Sequence, residues 1–445
     1  MARQNSDAYE LTDAERRDLI KLIERGDYLP EKYRYLLFKD KREVELVWNG
    51  KTRDVTTAVL PFQTLEHIDE PRKERRADEA LELDMGGRQA KGWTNKLIWG
   101  DNKLILSSLK SGALRQQILD AGGIKLIYID PPFDVGADFS VDIEIGDETF
   151  HKNANLLEQI AYRDTWGRGT DSFVSMIYER LILMRDLMHE DGVIYVHCDW
   201  HVGYAIRAIL NEVFGPDNFI NEIVWHYYNK MAPNSACFPR AADRILSFAK
   251  NQARYTFHQQ YEKLDAPVKR LKRQFVGGKA INVRNELGEV QYIELDVKRL
   301  DDVWRIPMLQ PADKTENAGY STQKPTALVE RIVRASSNEG DLVADFFCGA
   351  GTAAVVSVRL GRKWIATDLG KFGIHTTRER LIQVQRDLKA AAKPFRAFEV
   401  LNLGRYERQA YLNVSGRLTG KKKEEALAER ERAFRALLIS AANSS

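Results

Sequence analysis

The sequence predicts an α/β protein built on a parallel sheet, on three observations. Short apolar, β-branched runs, among them Leu126-Ile127-Tyr128-Ile129 and "GVIYVHCD", have the length and composition of strands buried on both faces. Strand and helix patterns alternate from about 95 to 225, and the alternation resumes over 323–385. Two of the strands end on an acid followed at once by a turn, at Asp130 and Asp345, and open α/β sheets hold their ligands at the carboxyl ends of strands.

In chain order, residues 10–40 read as helical, opened by the capping box Thr12-x-x-Glu15. The stretch "EVELVWNGKTRDV" reads as a hairpin with Asn49-Gly50 in its turn. Together these make 1–65 a small N-terminal α+β region. A polar, charge-mixed linker over 66–94 follows. The sheet domain then comes in two halves, 95–225 and 311–400, interrupted by an inserted module at 226–310 that breaks the alternation. A charged helical tail at 401–445 closes the chain.

The bulk composition narrows the class. At 445 residues there is room for a large domain and one or two smaller ones. Hydrophobic residues make up 44% and charged residues 29%, as in ordinary soluble proteins, and a net charge of +3 neither demands nor excludes a polyanionic partner. The three cysteines, Cys198, Cys237 and Cys348, form neither a disulfide framework nor a zinc-binding pattern, so no metal is expected. The N-terminus has no apolar signal core, and no run of about eighteen residues is free of charge. These features predict a soluble protein of the reducing cytoplasm with no membrane partner.

Two motifs carry chemistry. In "YIDPPF", Pro131 and Pro132 fix φ and remove two amide donors. What remains is a stiff loop of carbonyl acceptors with Asp130 on one side and Phe133 on the other, suited to accept hydrogen bonds from a planar group and stack on it. In "DLVADFFCGAGTAAVVSVRLG", an apolar strand ends on Asp345, turns through Gly349 and Gly351, and enters a helix whose free amide donors face the turn. Asp368 ends the next strand, where an acid can bind ribose hydroxyls. The pair favours an adenosine-containing cofactor. The missing third glycine of a dinucleotide fingerprint disfavours NAD chemistry, and the absence of a P-loop disfavours a nucleoside triphosphate.

"DPPF", then "STQKP", then "DFFCGAGT" resemble the amino-methyltransferases that act on exocyclic nitrogens of DNA bases. The order of the motifs resembles the β class of that family, in which base recognition lies between them. The resemblance covers roughly 95–390. A weaker likeness in 30–65 ("VWNGKTRDV", "LPFQT") points to the modification subunits of type III restriction systems, which are longer, so a C-terminal portion of such a subunit is expected to be lacking here. Phe346 and Ala350 stand where the family usually has proline and serine, while the acid and both glycines are kept.

The resemblance implies a Rossmann-like fold, S-adenosylmethionine as cofactor, and double-stranded DNA as partner. It leaves open a restriction subunit and a homodimer. It also implies that the catalytic and cofactor halves sit on adjacent central strands. Asp130 and the Pro131 carbonyl would accept the protons of a flipped adenine amino group, with Pro132 stiffening the loop and Phe133 stacking on the base. Asp345, Phe347, Gly349 and Gly351 would hold the cofactor, Asp368 its ribose, and Lys324 its methionine carboxylate. Asp101 would line the adenine pocket or be a plain helix cap. Asp before Pro-Pro favours adenine N6, and cytosine N4 is the rival; a catalytically silent binding subunit is the alternative of another class.

Other residues carry weaker signals. Lys269, Arg270, Lys272 and Arg273 form a basic cluster in the inserted module, either a solvated face or phosphate contacts. Tyr162, Asp164 and Trp166 either line the base pocket or pack. His197 and Asp199 end the strand "GVIYVHCD" and either face the site or serve the fold. Cys348 reads as a small core residue, with no neighbouring base to activate it.

Overall fold

The apolar runs pair into one ten-stranded sheet. The computed structural model describes residues 12–25, 46–68, 93–132, 141–145, 148–152, 170–230, 237–310, 312–313, 315–320 and 322–403. The chain divides into two units, 1–46 and 47–445.

In the first unit, helix α1 (Asp13–Arg25) opens on the expected capping box. Thr12 N–H donates to Glu15 Oε2 at 2.8 Å, and Glu15 N–H donates to Thr12 Oγ1 at 3.3 Å.

The second unit contains strands β1 (Gln63–Ile68), β2 (Asn95–Trp99), β3 (Ile124–Ile129), β4 (Val141–Ile145), β5 (Glu148–Lys152), β6 (Met188–Cys198), β7 (Phe219–His226), β8 (Ala242–Ala249), β9 (Tyr261–Leu271), β10 (Arg273–Val276), β11 (Lys279–Asn282), β12 (Tyr292–Arg299), β13 (Val303–Arg305), β14 (Leu342–Asp345), β15 (Lys363–Asp368) and β16 (Phe398–Asn402). Its helices are α2 (Asn102–Ser111), α3 (Leu114–Asp120), α4 (Thr170–Leu187), α5 (Gly203–Phe214), α6 (Thr326–Ser336), α7 (Thr352–Arg359) and α8 (Lys371–Ala390).

The large sheet runs β1-β16-β2-β15-β14-β3-β6-β8-β7-β13. From β16 to β6 every neighbour pair is parallel, while β1 at one edge and β8 beyond β6 run against them. Both faces of the central strands are covered. Leu126 and Tyr128 of β3 and Val343 of β14 pack with Leu328, Val329 and Ile332 of α6. Ile127, Ile129 and Ala344, which alternate with them, are also buried. Trp364 and Ala366 of β15 pack with Ile374 and Leu381 of α8. Among the described residues no helix is long and apolar enough to cross a membrane.

Strands β3 and β14, which carry the two motifs, are direct parallel neighbours. The order steps outward from them in both directions, through β15 on one side and β6 on the other. A crevice opens at the carboxyl ends of strands at such a reversal, and the ends of β3 and β14 are Asp130 and Asp345. The expectation of adjacent central strands agrees with this pairing.

Two expected stretches look different. Within 226–310, β8 and β13 join the large sheet, and only 261–299 leaves it, as β9 with β12 and β10 with β11. The expected hairpin over 43–55 keeps its turn, with Gly50 at φ +85°, but no strand follows at 51–62. The backbone there bonds to side chains of the helices: Thr56 N–H donates to Glu179 at 2.9 Å and Leu60 N–H to Ser108 Oγ at 2.9 Å. Trp48 Nε1 donates to Ser175 at 2.7 Å, and Lys51 pairs with Glu212 at 2.7 Å. The segment is therefore an extended strap across α2, α4 and α5, whose helices already offer the acceptors a partner strand would have supplied. Of the expected linker, 66–68 belong to β1 and 69–92 lie outside the described residues. So does 404–445, which includes most of the expected tail.

The core and the two small sheets should respond differently to truncation. Leu328 is fully buried between α6 and the sheet, and Leu328→Ala is predicted to cost about 2–5 kcal/mol. Phe275 on β10 is 79% exposed, and Phe275→Ala should stay within about 0.5 kcal/mol. Urea unfolding of the two variants checks the contrast.

Candidate active site

The turn after β14 is shaped by its glycines. Gly349 and Gly351 sit at φ +50° and +72°, where side chains are strained, and a Cβ on Gly351 would lie 2.4 Å from Thr377 Cγ2. Thr377 in turn donates from its hydroxyl to the Gly349 carbonyl at 2.9 Å. Asp368, at the end of β15, accepts from the N–H groups of Gly349 at 2.8 Å and Gly370 at 2.7 Å. This acid thus fixes two loops with one carboxylate, besides standing where a ribose is expected. Phe346 is buried in the core, and Phe347 is half-buried at the rim. Tyr320 lies over Gly349 and stacks on Phe372, with ring centroids 5.7 Å apart.

Asp345 Oδ1 accepts from the Phe347 N–H at 3.0 Å. Burial pushes its carboxyl well above the usual range; the Phe347 N–H and Lys324 oppose this, and the charges of Asp130 and Asp368 add to it. Cys348 is buried against Thr377, and burial followed by Asp368 and Asp345 raises its thiol, so it stays a protonated packing residue.

Opposite this turn, Asp130 emerges from β3 with Pro131 buried and Pro132 half-buried behind it. Its Oδ2 accepts from Lys324 Nζ. Its Oδ1 is buried and has no hydrogen-bond partner among the described residues. His197 Nδ1 of β6 lies 4.0 Å from that oxygen. The ring is fully buried between Tyr128 OH, 3.3 Å from Nδ1, and Asp243 Oδ2, 3.3 Å from Nε2. Tyr227 OH donates to the other oxygen of Asp243 at 3.1 Å. Burial alone would raise the Asp243 carboxyl, but His197, Lys324 and Tyr227 outweigh it and hold it below its ordinary value. Burial, then Asp130, Asp345 and Asp243, push the Tyr128 hydroxyl up, so it remains a donor.

The structure brings Asp130, Lys324, Asp345, Phe347, Gly349, Gly351 and Asp368 to one edge of the sheet. Lys324, expected at the methionine carboxylate, meets Asp130. Asp101 is a helix cap: its carboxylate accepts from Lys103 N–H at 2.9 Å and pairs with buried Arg180 at 2.8 Å. Arg180 also holds Asn102, whose side chain donates to the Phe346 carbonyl at 2.8 Å, so the cap bears on the turn after β14 through two neighbours. Asp199 accepts from the N–H groups of His201 at 2.9 Å and Val202 at 3.2 Å and so organises the turn into α5. Lys269, Arg270, Lys272 and Arg273 are exposed on the small sheets, and Lys269 pairs with Glu294 across the strands at 3.6 Å. Phe133, Tyr162, Asp164 and Trp166 lie outside the described residues.

Sequence reading missed Arg180, Asp243 and Tyr320. It also missed a surface at the same sheet edge, where exposed Arg240 stacks on Trp200 at 3.8 Å and exposed Arg305 lies 5.9 Å from the ring of Tyr228. Interleaved aromatics and cations were the available signal, but they are scattered over 200–305.

Comparison with known proteins shows the family of the chain. A family model described as DNA methylase, of the N6/N4 methyltransferases, matches residues 124–379, more than half of the chain. The chain is 27% identical over 336 residues to the type II methyltransferase M.EcaI of Enterobacter cloacae, covering 64% of this chain and 69% of that one. It is 24% identical over 291 residues to the DNA adenine methyltransferase YhdJ of Escherichia coli K12, covering 60% and 83%. It is 26% identical over 220 residues to the EcoP15I Mod subunit of a type III restriction-modification enzyme of Escherichia coli, covering 48% of this chain and 31% of that subunit.

The buried acid at the end of β14 has a stability signature. The folded chain holds the Asp345 proton to a higher pH than the unfolded chain does. Its contribution to stability therefore falls as pH rises from the ordinary carboxylate range through the raised folded value. Asp345→Asn keeps the acceptor for Phe347 and removes that loss. The variant is predicted to unfold at higher urea than the parent at about pH 8 and to lose that advantage near pH 4.

Proposed function

Because the chain belongs to the DNA methylase family, we propose that it is a β-class enzyme that methylates the N6 amino group of an adenine flipped out of duplex DNA, using S-adenosylmethionine. The observation that carries this reading is Asp130 Oδ1, a buried acceptor without a described partner, at the end of β3 beside the glycine turn of β14.

An adenine amino group is a poor nucleophile because its lone pair is delocalised into the ring. Asp130 Oδ1 and the Pro131 carbonyl accept its two N–H groups, which draws the nitrogen toward tetrahedral geometry and frees the lone pair. Pro131 and Pro132 keep both acceptors in place, so little reorganisation is needed at the moment of reaction. Phe133 stacks on the extruded base.

When bound, the cofactor supplies a methyl group on a sulfonium, a good leaving group that needs orientation more than activation. The residues present fit it. Asp130 places a carboxylate at the end of β3 where a cationic centre can be stabilised, and Asp345 beside it is a carboxyl pushed toward its neutral form. Lys324, which meets Asp130, is the cation the resemblance assigns to the methionine carboxylate. Gly349 and Gly351 permit close approach to the turn, Phe347 forms its rim, and Asp368 offers its carboxylate to the ribose. Asp101, through Arg180 and Asn102, holds the Phe346 carbonyl beneath it. Lys269, Arg270, Lys272 and Arg273, with Arg240 and Arg305 at the sheet edge, supply cations for DNA phosphates.

The name of YhdJ and the Asp before Pro-Pro support adenine. The likeness to M.EcaI and the EcoP15I Mod subunit supports a modification role in a restriction-modification system.

The test is to incubate the protein with labelled S-adenosylmethionine and unmethylated bacterial DNA, then digest the DNA and identify the labelled nucleoside. N6-methyladenine is predicted, reduced by at least about 10²-fold in Asp130→Ala while cofactor binding persists. N4-methylcytosine would reassign the base and keep the chemistry. Cofactor binding with no label in DNA would overturn the reading.

A further inference from the structure

Methylation of a neutral amine leaves the nitrogen with a proton to shed, and Asp130 is a weak base for it. We propose that His197, held by Asp243, positions Asp130 and takes that proton from it. This rests on the methyl-transfer reading above.

The tautomer follows from the partners. Asp243, held ionised, can only accept, so His197 Nε2 carries the proton of their 3.3 Å contact. Nδ1 is then the basic nitrogen. Tyr128 OH, 3.3 Å away, donates to it, and Asp130 Oδ1 lies 4.0 Å from the same atom. A second proton on the ring, at Nδ1, turns that atom into a donor; Asp130 Oδ1, 4.0 Å away, can accept from it once the gap closes and the Tyr128 hydroxyl turns its proton away. The resulting imidazolium then lies between the carboxylates of Asp130 and Asp243.

Groups from three parts of the sheet surround the ring. Facing the ring are Tyr128 of β3, Asp130 just after that strand and Asp243 of β8, with Trp225 of β7 edge-on at 5.5 Å. Tyr227 stands behind Asp243, and Lys324 behind Asp130. Lys324 is the one cation in this set and is already paired with Asp130, so an imidazolium balances the remaining charge of Asp243.

The step balances. The N–CH3 bond forms as the S–CH3 bond breaks, and its electron pair returns to sulfur as a neutral thioether. The proton shed by the amine passes to Asp130 and then, with a small closure of the 4.0 Å gap, to His197 Nδ1. Imidazole is a stronger base than carboxylate by roughly two to three pKa units in ordinary surroundings, so the transfer runs toward the ring. Solvent takes the proton when the product leaves. Asp130 is thereby restored as an acceptor, which a carboxylic acid left at that position would not be.

His197 acts through Asp130, so the readout must separate this from a packing role. In single-turnover methylation the parent rate is predicted to rise with pH as the ring loses its second proton. His197→Asn, which cannot titrate, should lose that rise and run about 10²-fold slower, with KM for cofactor and DNA within about threefold. Retention of the parent pH profile in His197→Asn would overturn the proposal. A second measurement needs no activity. With labelled histidine, the titration of His197 in the full chain is followed by NMR in the parent and in Asp130→Asn. A neighbouring carboxylate favours the imidazolium, so its midpoint should fall in Asp130→Asn; an unmoved midpoint would overturn the proposal even if methylation is observed. A parent that transfers no methyl group, with the coupling intact, would overturn the methyl-transfer reading instead and leave the Asp130–His197 coupling standing.

Discussion

The parallel pairing of β3 with β14 is the constraint on which the site depends. It places Asp130 and Asp345, the ends of two strands separated by most of the catalytic sequence, at neighbouring positions on one sheet edge. The strand order reverses there, so no crossover helix fills the gap above them. The glycine turn, Asp368 and the Lys324 segment reach the same crevice because their strands and helices extend outward from that pair. Leu126 and Val343 pack against α6 and Trp364 against α8 farther along, so the paired strands are held by buried cores.

Crowding acids at this edge has an electrostatic cost that the fold meets in two ways. One acid, Asp345, is pushed toward its neutral form by burial and by its acidic neighbours. The others meet partners: Asp130 meets Lys324, Asp243 is held below its ordinary value by His197, Lys324 and Tyr227, and Asp368 accepts from two backbone N–H groups. Only one carboxylate oxygen in the described site, Asp130 Oδ1, is both buried and without a hydrogen-bond partner. A buried acceptor left open costs stability, which makes it the natural place for a substrate donor. Farther out, Asp101, Arg180 and Asn102 link α4 to the Phe346 carbonyl.

Much of this was legible in the sequence where local patterning and function coincide. The buried strands, the two acid-tipped turns, the Thr12–Glu15 box and the adjacency of the motif strands could be read from periodicity, turn residues and resemblance. The strands β8 and β13 could not: an antiparallel strand without a following helix, and a strand of three residues, leave no alternation to detect. The strap at 51–62 was unreadable for the opposite reason, since its β-like composition serves bonds to helix side chains. Contacts between distant single charges leave no local trace. Lys324 meets Asp130 from 194 positions away, and Asp243 and Arg180 sit in stretches that otherwise read as plain strand and helix. His197 could be singled out as a strand-end residue, but its two carboxylate neighbours come from different strands.

The central claim is that the turn after β14 and the loop after β3 form one site for one reactive methyl group. It is tested most directly by irradiating the protein with S-adenosylmethionine tritiated in its methyl group and mapping the label by peptide digestion. Label is predicted on peptides spanning 124–132 or 345–352. Label confined to 261–299, or to any segment that reaches neither strand end, would contradict it.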